Sequence, residues 1–453
     1  MSDLSQPTSV KFGFLHLADG ISKKNCIGLF IASFTVIGLL TFISTSTAFV
    51  LVEVLNVPES ERGRITGDLV FLTEITQILL FSAAGIVADR IGRKPVITFG
   101  IIGMGIGYVL YPYAGDVVEL SFYRIVYAIG LALSTGMLGT IVADYPREDS
   151  RGRMVAVAGM LNGVGVIIVA LGLGNLPNVF VNAGYTPLDA GRLTHWIILG
   201  ICVVSGILYS IFLKGGTPKA KGDQPDFIEL AKAGFLEAKN PRIALAYASA
   251  FVARADLVIL GTFLVLWAFN AANAAGIDSA AATSRANIIF ATTQTAALIW
   301  IPVCGYFLDR FNRVSGLAFC MFMATLGYAC MGLVDDILAP SAMPFLILLG
   351  FGQISAFFGA TTLIGQEAPT AERGAVVGMF NMVGAIGILV CSAVGGRLFD
   401  SIDPSAPFVL IGVLNAGLLV ASIVVRRVAP GQMPEKNFDA LIAKIKSLLP
   451  SSS

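Results

Sequence analysis

Runs of about twenty apolar residues separated by short polar intervals recur along the whole chain, and they predict membrane-spanning helices. One set falls near 27–52, 66–88, 95–114, 120–143, 154–174 and 194–213; a second falls near 244–270, 286–308, 315–334, 342–364, 374–396 and 407–425. Helices are the expected form, because lipid offers backbone groups no partners and the alternation of a transmembrane barrel strand is absent. The expected fold is all-α and integral to the membrane, with twelve transmembrane helices in two six-helix bundles. The first apolar run is far longer than a signal-peptide core and lacks a small-residue cleavage site, so it is expected to stay in the mature chain.

The longest polar interval, 214–243, divides the chain into an N-terminal bundle at 27–213 and a C-terminal bundle at 244–425, with tails at 1–26 and 426–453. Within the interval, Asp226 and Glu229 have the spacing of a capping box, and Phe227, Ile228, Ala231 and Phe235 recur at helical spacing. A short amphipathic helix on the membrane surface is expected there. In the tail, Phe438, Leu441, Ile442, Ile445 and Leu448 form one face, and Lys436, Lys444 and Lys446 are available to anionic headgroups. Packing against protein is the alternative for both helices.

Composition supports the lipid setting: 56% of residues are hydrophobic and 13% charged, against roughly 25% charged in soluble domains. A net charge of +1 gives no basic excess for a nucleic-acid backbone. Of the 30 Lys and Arg, only Arg62, Arg64, Arg192, Arg285 and Arg397 fall on one side of the spans and Arg124 and Arg254 within them; all others share the opposite side. The positive-inside rule makes that side, with both termini, cytoplasmic. The six cysteines read as buried small hydrophobes, and the two histidines, His16 and His195, lie too far apart for a metal centre. No cofactor is expected. No Asn-x-Ser/Thr sequon occurs, in keeping with a bacterial inner membrane.

Two stretches repeat. GIVADRIGRK carries Gly85, Asp89, Arg90, Gly92, Arg93 and Lys94; GYFLDRFNR, at an offset of 220, carries Gly305, Asp309, Arg310, Asn312 and Arg313. Pro146, Arg151 and Gly152 are echoed at nearly that offset by Pro369, Arg373 and Gly374. Two echoes at one spacing imply two copies of a six-helix unit. With these motifs the chain resembles the major facilitator superfamily over essentially its whole length. The loop after the second span matches the signature GxxxDRxGRK at every fixed position, while the second copy departs at Asn312 and Val314. The resemblance implies that these are conformational switch residues: Asp89 would meet the start of helix eleven near Arg373 and Gly374, and Asp309 would meet helix five near Gly152. Independently of the family, Arg93 can pair with a carboxylate such as Asp144.

Ionisable groups inside apolar spans cost roughly 2.5–3.5 kcal/mol when unpaired and are default functional candidates. Here they are Asp68, Glu74, Arg124, Arg254 and Asp256. Asp68, Glu74 and Arg124 fall at similar depths, so a pair among them is expected; Arg254 and Asp256, two apart on a helix, each need another partner. Three acids and two bases would be neutralised by one proton. Proton coupling follows as an expectation, with Glu74 as first choice, Asp256 second and Asp68 third; static interhelical ion pairs are the alternative. Arg124 also lies where proton-coupled drug exporters of the superfamily often carry an arginine, although the first following glycine is Gly130 and Val164 replaces the proline of their helix-five motif.

Substrate contacts are expected from Arg124, Arg254, Gln77, Gln294, Gln353, Asn162, Asn381 and Trp300, with hydrogen bonding between helices as the alternative for the amides. No GxxxxGK[ST] string is present, so a gradient rather than ATP is the expected energy source. The expected protein is a monomeric secondary transporter that moves a small, amphiphilic organic solute with protons, preferentially as an efflux antiporter. Symport of an organic anion is the alternative. A membrane enzyme or a solute receptor is not favoured, because no nucleophile, base or metal set converges at one depth.

Overall fold

The computed structural model describes residues 10–216, 227–369 and 372–431. A small hairpin, β1 (Lys11–Phe12) and β2 (Leu15–His16), precedes six long helices: α1 (Lys23–Phe49), α2 (Glu59–Ile91), α3 (Arg93–Leu110), α4 (Val117–Asp144), α5 (Arg151–Asn182) and α6 (Pro187–Phe212). A short helix, α7 (Phe227–Leu236), leads to α8 (Pro241–Ile259) and α9 (Val265–Ala274), which form one span through the π-helical turn Leu260–Leu264. The remaining helices are α10 (Ser279–Arg310), α11 (Arg313–Ala329), α12 (Met343–Glu367), α13 (Arg373–Ser401) and α14 (Ala406–Val428). With α2, bent by 46° between Phe81 and Ala83, taken as one span, the described residues hold twelve spans long and apolar enough to cross a membrane.

Local chemistry sets the helix starts. Ser22 and Asn25 form a reciprocal capping box on α1, Asp116 caps α4, Thr186 caps α6 ahead of Pro187, and Asp278 caps α10. The short helix expected in the long polar interval forms as α7, while Asp226 and the expected tail helix lie outside the described residues. α7 is packed on protein at its C-terminal end: the Tyr247 hydroxyl of α8 donates to the Gly234 carbonyl at 2.8 Å, and Gly234 sits close against Ala375 of α13.

Helices α1–α6 form one bundle and α8–α14 the other, each with its own apolar core. They meet along two lateral seams, α2 against α13 and α5 against α10. The face holding Arg90, Arg93, Lys94 and α7 is here the basic face, and the opposite one the outer face.

The segment before α1, expected as a simple tail, is a folded strap on the basic face. Leu17 bridges to Pro146, the Ala18 amide donates to the Tyr145 carbonyl at 2.9 Å, Arg153 donates to the Phe14 carbonyl at 2.8 Å, and His16 contacts Asp149 at 2.7 Å. Leu15, Leu17 and Ile21 are buried beneath it.

Candidate functional site

The two seams share one asymmetry. On the outer side of the first, Gly63 and Gly67 of α2 pack on Gly396 and Ser392 of α13 so closely that a Cβ on Gly63 would fall 2.8 Å from the Gly396 carbonyl oxygen. The two helices run antiparallel, and continuing their register places Glu74 and Gln77 level with Asn381 and Gly384, and Gly85 level with Gly374. A Cβ on Gly85 or Gly374 would meet nothing within 4 Å, so the helices diverge toward the basic face. In the second seam Gly174 lies under Asn287 and Gly163 against Leu298, and the same register continued would set Gly152 level with Asp309. Gly152, Gly159 and Gly305 are again open. The molecule is closed at the outer face and open at the basic face.

Between closed and open zones lies a polar cluster shared by the bundles. Gln77 donates to the Glu74 carboxylate at 3.3 Å on α2, and Arg254 of α8 donates to Asn381 Oδ1 of α13 at 2.5 Å. Arg254 also lies against Gly384 of α13, the residue level with Glu74 in the α2 and α13 register, and no Glu74–Arg254 ion pair within 4 Å forms among the described residues. Gly384 permits this, since a Cβ there would fall 2.7 Å from Arg254 Cδ. The Arg254 Nε has no hydrogen-bond partner among the described residues. The cluster thus sets a carboxylate on one bundle and a guanidinium on the other at one level of the seam.

The other predicted residues go elsewhere. The expected pairing among Asp68, Glu74 and Arg124 does not form. Asp68 instead pairs with Arg397 of α13 at 3.0 Å on the outer face, because the closed seam brings α13 nearer to it than α4. Arg124, 4% exposed, is held by hydroxyls: its Nε donates to Thr73 at 2.6 Å, its Nη1 to Tyr111 at 3.2 Å and Thr47 at 3.3 Å, and it lies over the Tyr127 ring. Asp256 is fully buried in the C-terminal bundle, where neither carboxylate oxygen finds a hydrogen-bond partner among the described residues. Trp300 stacks on Phe351 at 4.4 Å and donates to Ser355 at 2.9 Å, within one bundle. Asn162 faces the Ser33 carbonyl of α1 and, with its amide oriented to satisfy both atoms, donates to it at 2.8 Å. Gln353 is buried, and the side-chain oxygens of Gln353 and Gln294 lack hydrogen-bond partners among the described residues.

Among the switch residues, Arg93 pairs with Asp144, joining α3 to α4 within one half. Asp309 lies 3.6 Å from Arg313 of its own repeat and is exposed. The divergence of the seams on the basic face leaves Asp309 away from α5, and Gly374, at the start of α13, has nothing within 4 Å of where its Cβ would lie.

A feature outside the expected set is the run Ser44–Thr47 on α1. Ser44 reaches Thr262 at 3.4 Å, Thr45 donates to Asn287 at 2.9 Å, Ser46 lies 2.5 Å from His195 Nε2, and Thr47 accepts from Arg124. Successive residues turn about 100° around a helix, so four in a row serve four neighbours. His195 is fixed by its own carbonyl contact, Nδ1 to Gly191 at 2.7 Å. Four consecutive hydroxyl residues inside an apolar span were the signal for this hub.

Two helical bundles that meet tightly at one face and diverge at the other are the architecture of a membrane transporter. The Major Facilitator Superfamily model matches residues 26–389 and, in a second stretch, 247–451, and the chain belongs to that family. It is 27% identical over 406 residues to the magnetosome protein MamH of Paramagnetospirillum magneticum, covering 88% of this chain and 91% of that one. Multidrug resistance protein 1 of Bacillus subtilis is 23% identical over 350 residues, covering 76% and 83%. The crystal structure of the nucleoside transporter NupG superposes with a TM-score of 0.69 at 16% identity, covering 89% and 99%, a likeness of fold. The protein is thus a multi-pass membrane transporter of small molecules and not an enzyme.

Proposed function

We propose that this chain exports a small amphiphilic organic solute in exchange for protons, with Glu74 as the coupling carboxylate and Arg254, Gln77 and Asn381 as solute contacts. The observation that carries the reading is the placement of Glu74 and Arg254, one charge on each bundle, level with Gly384 and between the closed and open parts of the seam. A carboxylate there can exchange a proton with whichever face is open, and binding of solute or proton changes the charge balance between the two bodies. Asp256 is sealed from the seam, and Asp68 is engaged with Arg397, so both rank behind Glu74. Similarity to a multidrug resistance protein supports export. By the positive-inside rule the basic face is cytoplasmic, so the open state would load from the cytoplasm.

Rocking of the bundles would bring Gly85 to Gly374 and Asp309 to Gly152, as the seam registers and the signature loops require. Proteoliposomes test the coupling. A fluorescent lipophilic cation should be moved against its gradient by an imposed proton gradient, and E74Q should abolish that movement while leaving energy-independent exchange. Normal proton-driven accumulation by E74Q removes Glu74 from the role.

The second reading, symport of an organic anion, is favoured by one observation: Arg254 has an unsatisfied Nε. It predicts proton-dependent uptake of an anionic probe that R254Q loses.

A further inference from the structure

The geometry points to Asp400 as the residue that holds the outer gate shut, by bracketing the start of α2 from the end of α13. Its Oδ1 accepts from the Gly63 amide at 2.7 Å and its Oδ2 from the Arg64 amide at 2.6 Å. Asp400 is the penultimate residue of α13, so it stands at the negative end of its own helix, a position that disfavours a carboxylate. Gly63 and Arg64, the fifth and sixth residues of α2, instead offer it two backbone donors in the second turn, close to the positive end of a helix on the other bundle. A residue that conflicts with its own helix and suits one on the other bundle is placed for the contact between them.

The surrounding residues fit that role. Gly63 admits the carboxylate, because a Cβ there would fall 2.5 Å from Asp400 Oδ1 and 2.7 Å from Phe399 Cδ1. Gly67 and Gly396, one turn further in on each helix, keep the backbones close enough for the bracket to reach. Arg397, one turn before Asp400, adds the exposed pair with Asp68 at 3.0 Å. That pair is solvated on both sides and contributes little by comparison. When the outer seam parts, Asp400 loses two amide donors at once and is left at its own helix terminus. The bracket therefore biases the molecule toward the outer-closed state and must be broken in each cycle. This rests on the alternating-access reading and is independent of which solute is carried.

Spin-label distances separate the two claims. One pair, at Ser60→Cys and Ile402→Cys, reports the outer face, and a second, at Val87→Cys and Val377→Cys, reports the basic face; all four positions are exposed. In the parent the outer pair should be predominantly short and the inner pair long. D400A should raise the outer-open population by at least about tenfold, the lower bound for losing two charge-assisted hydrogen bonds, with the inner pair shortening in step. D400N keeps an acceptor without the charge and should fall between. G67A, which introduces a methyl into the closed contact, should open the same gate without touching Asp400. If G67A opens the outer face while D400A and D400N leave it unchanged, the bracket is not the hold and the proposal is overturned. If no variant moves either pair, the alternating-access reading itself fails.

Discussion

Thr45 of α1 donates to Asn287 of α10 at 2.9 Å across the two bundles, and the Asn287 side chain lies directly over Gly174 of α5. Asn287 is 2% exposed and also donates to the Thr283 carbonyl at 2.8 Å, so its amide is committed on both sides. The bond joins the bundles beside the closed part of the second seam, so it should part when the outer face opens. T45V should therefore cost the outer-closed state about 1 kcal/mol, roughly a fivefold shift in population. A membrane-impermeant maleimide applied from the outer face should modify Ser284→Cys faster in T45V than in the parent; equal rates would show that the bond has no bearing on the gate.

Arg254 and Glu74 should fail in different ways. R254K keeps the charge but loses the planar fork that reaches Asn381, so solute affinity should fall by about tenfold while proton dependence of transport survives. E74Q should remove the dependence of transport on an imposed pH gradient. Equilibrium binding and gradient-driven transport on each variant check the division; identical defects in both would argue that the pair is only a structural contact.

Arg124 should matter to stability more than to coupling. T73V removes the acceptor of its shortest hydrogen bond and leaves a buried guanidinium N–H unsatisfied, a cost of about 1–3 kcal/mol. R124A should be more damaging, since it also leaves a cavity among Thr47, Thr73 and Tyr111. Thermal unfolding of purified protein, followed by intrinsic fluorescence, should show both losses, with R124A the larger.

The Arg93 and Asp144 side chains are 25% and 40% exposed, so D144N should lower stability by less than about 1 kcal/mol. G374V should likewise leave this conformation intact, because a Cβ at Gly374 meets nothing within 4 Å. It should nevertheless block closure toward Gly85 and abolish transport with an unchanged unfolding temperature. Retained transport in G374V would exclude that contact from the cycle.

The membrane spans, their division into two bundles and the two repeated loops could be read directly, because each depends on local composition or on a repeated string. Glu74, Gln77, Arg254 and Asn381 were individually recognisable as polar residues in apolar spans. Their convergence was not, since it depends on the antiparallel register of α2 and α13. The same limitation misassigned Asp68: depth along the membrane placed it near Arg124, whereas lateral position gives it to Arg397. The strap at 10–21 carries no long apolar periodicity, and its burial comes from docking on the loop between α4 and α5.

By itself the amino-acid sequence determined that this chain crosses the membrane as a duplicated six-helix unit, because the lack of water in lipid forces every apolar run of that length into a helix. Only the tertiary structure decided which charges meet, where the hydroxyls of Ser44–Thr47 are spent and which face stands open. Hydropathy gives a residue its depth, but not its direction around a helix or the neighbour that the rocking of two rigid bodies brings to it.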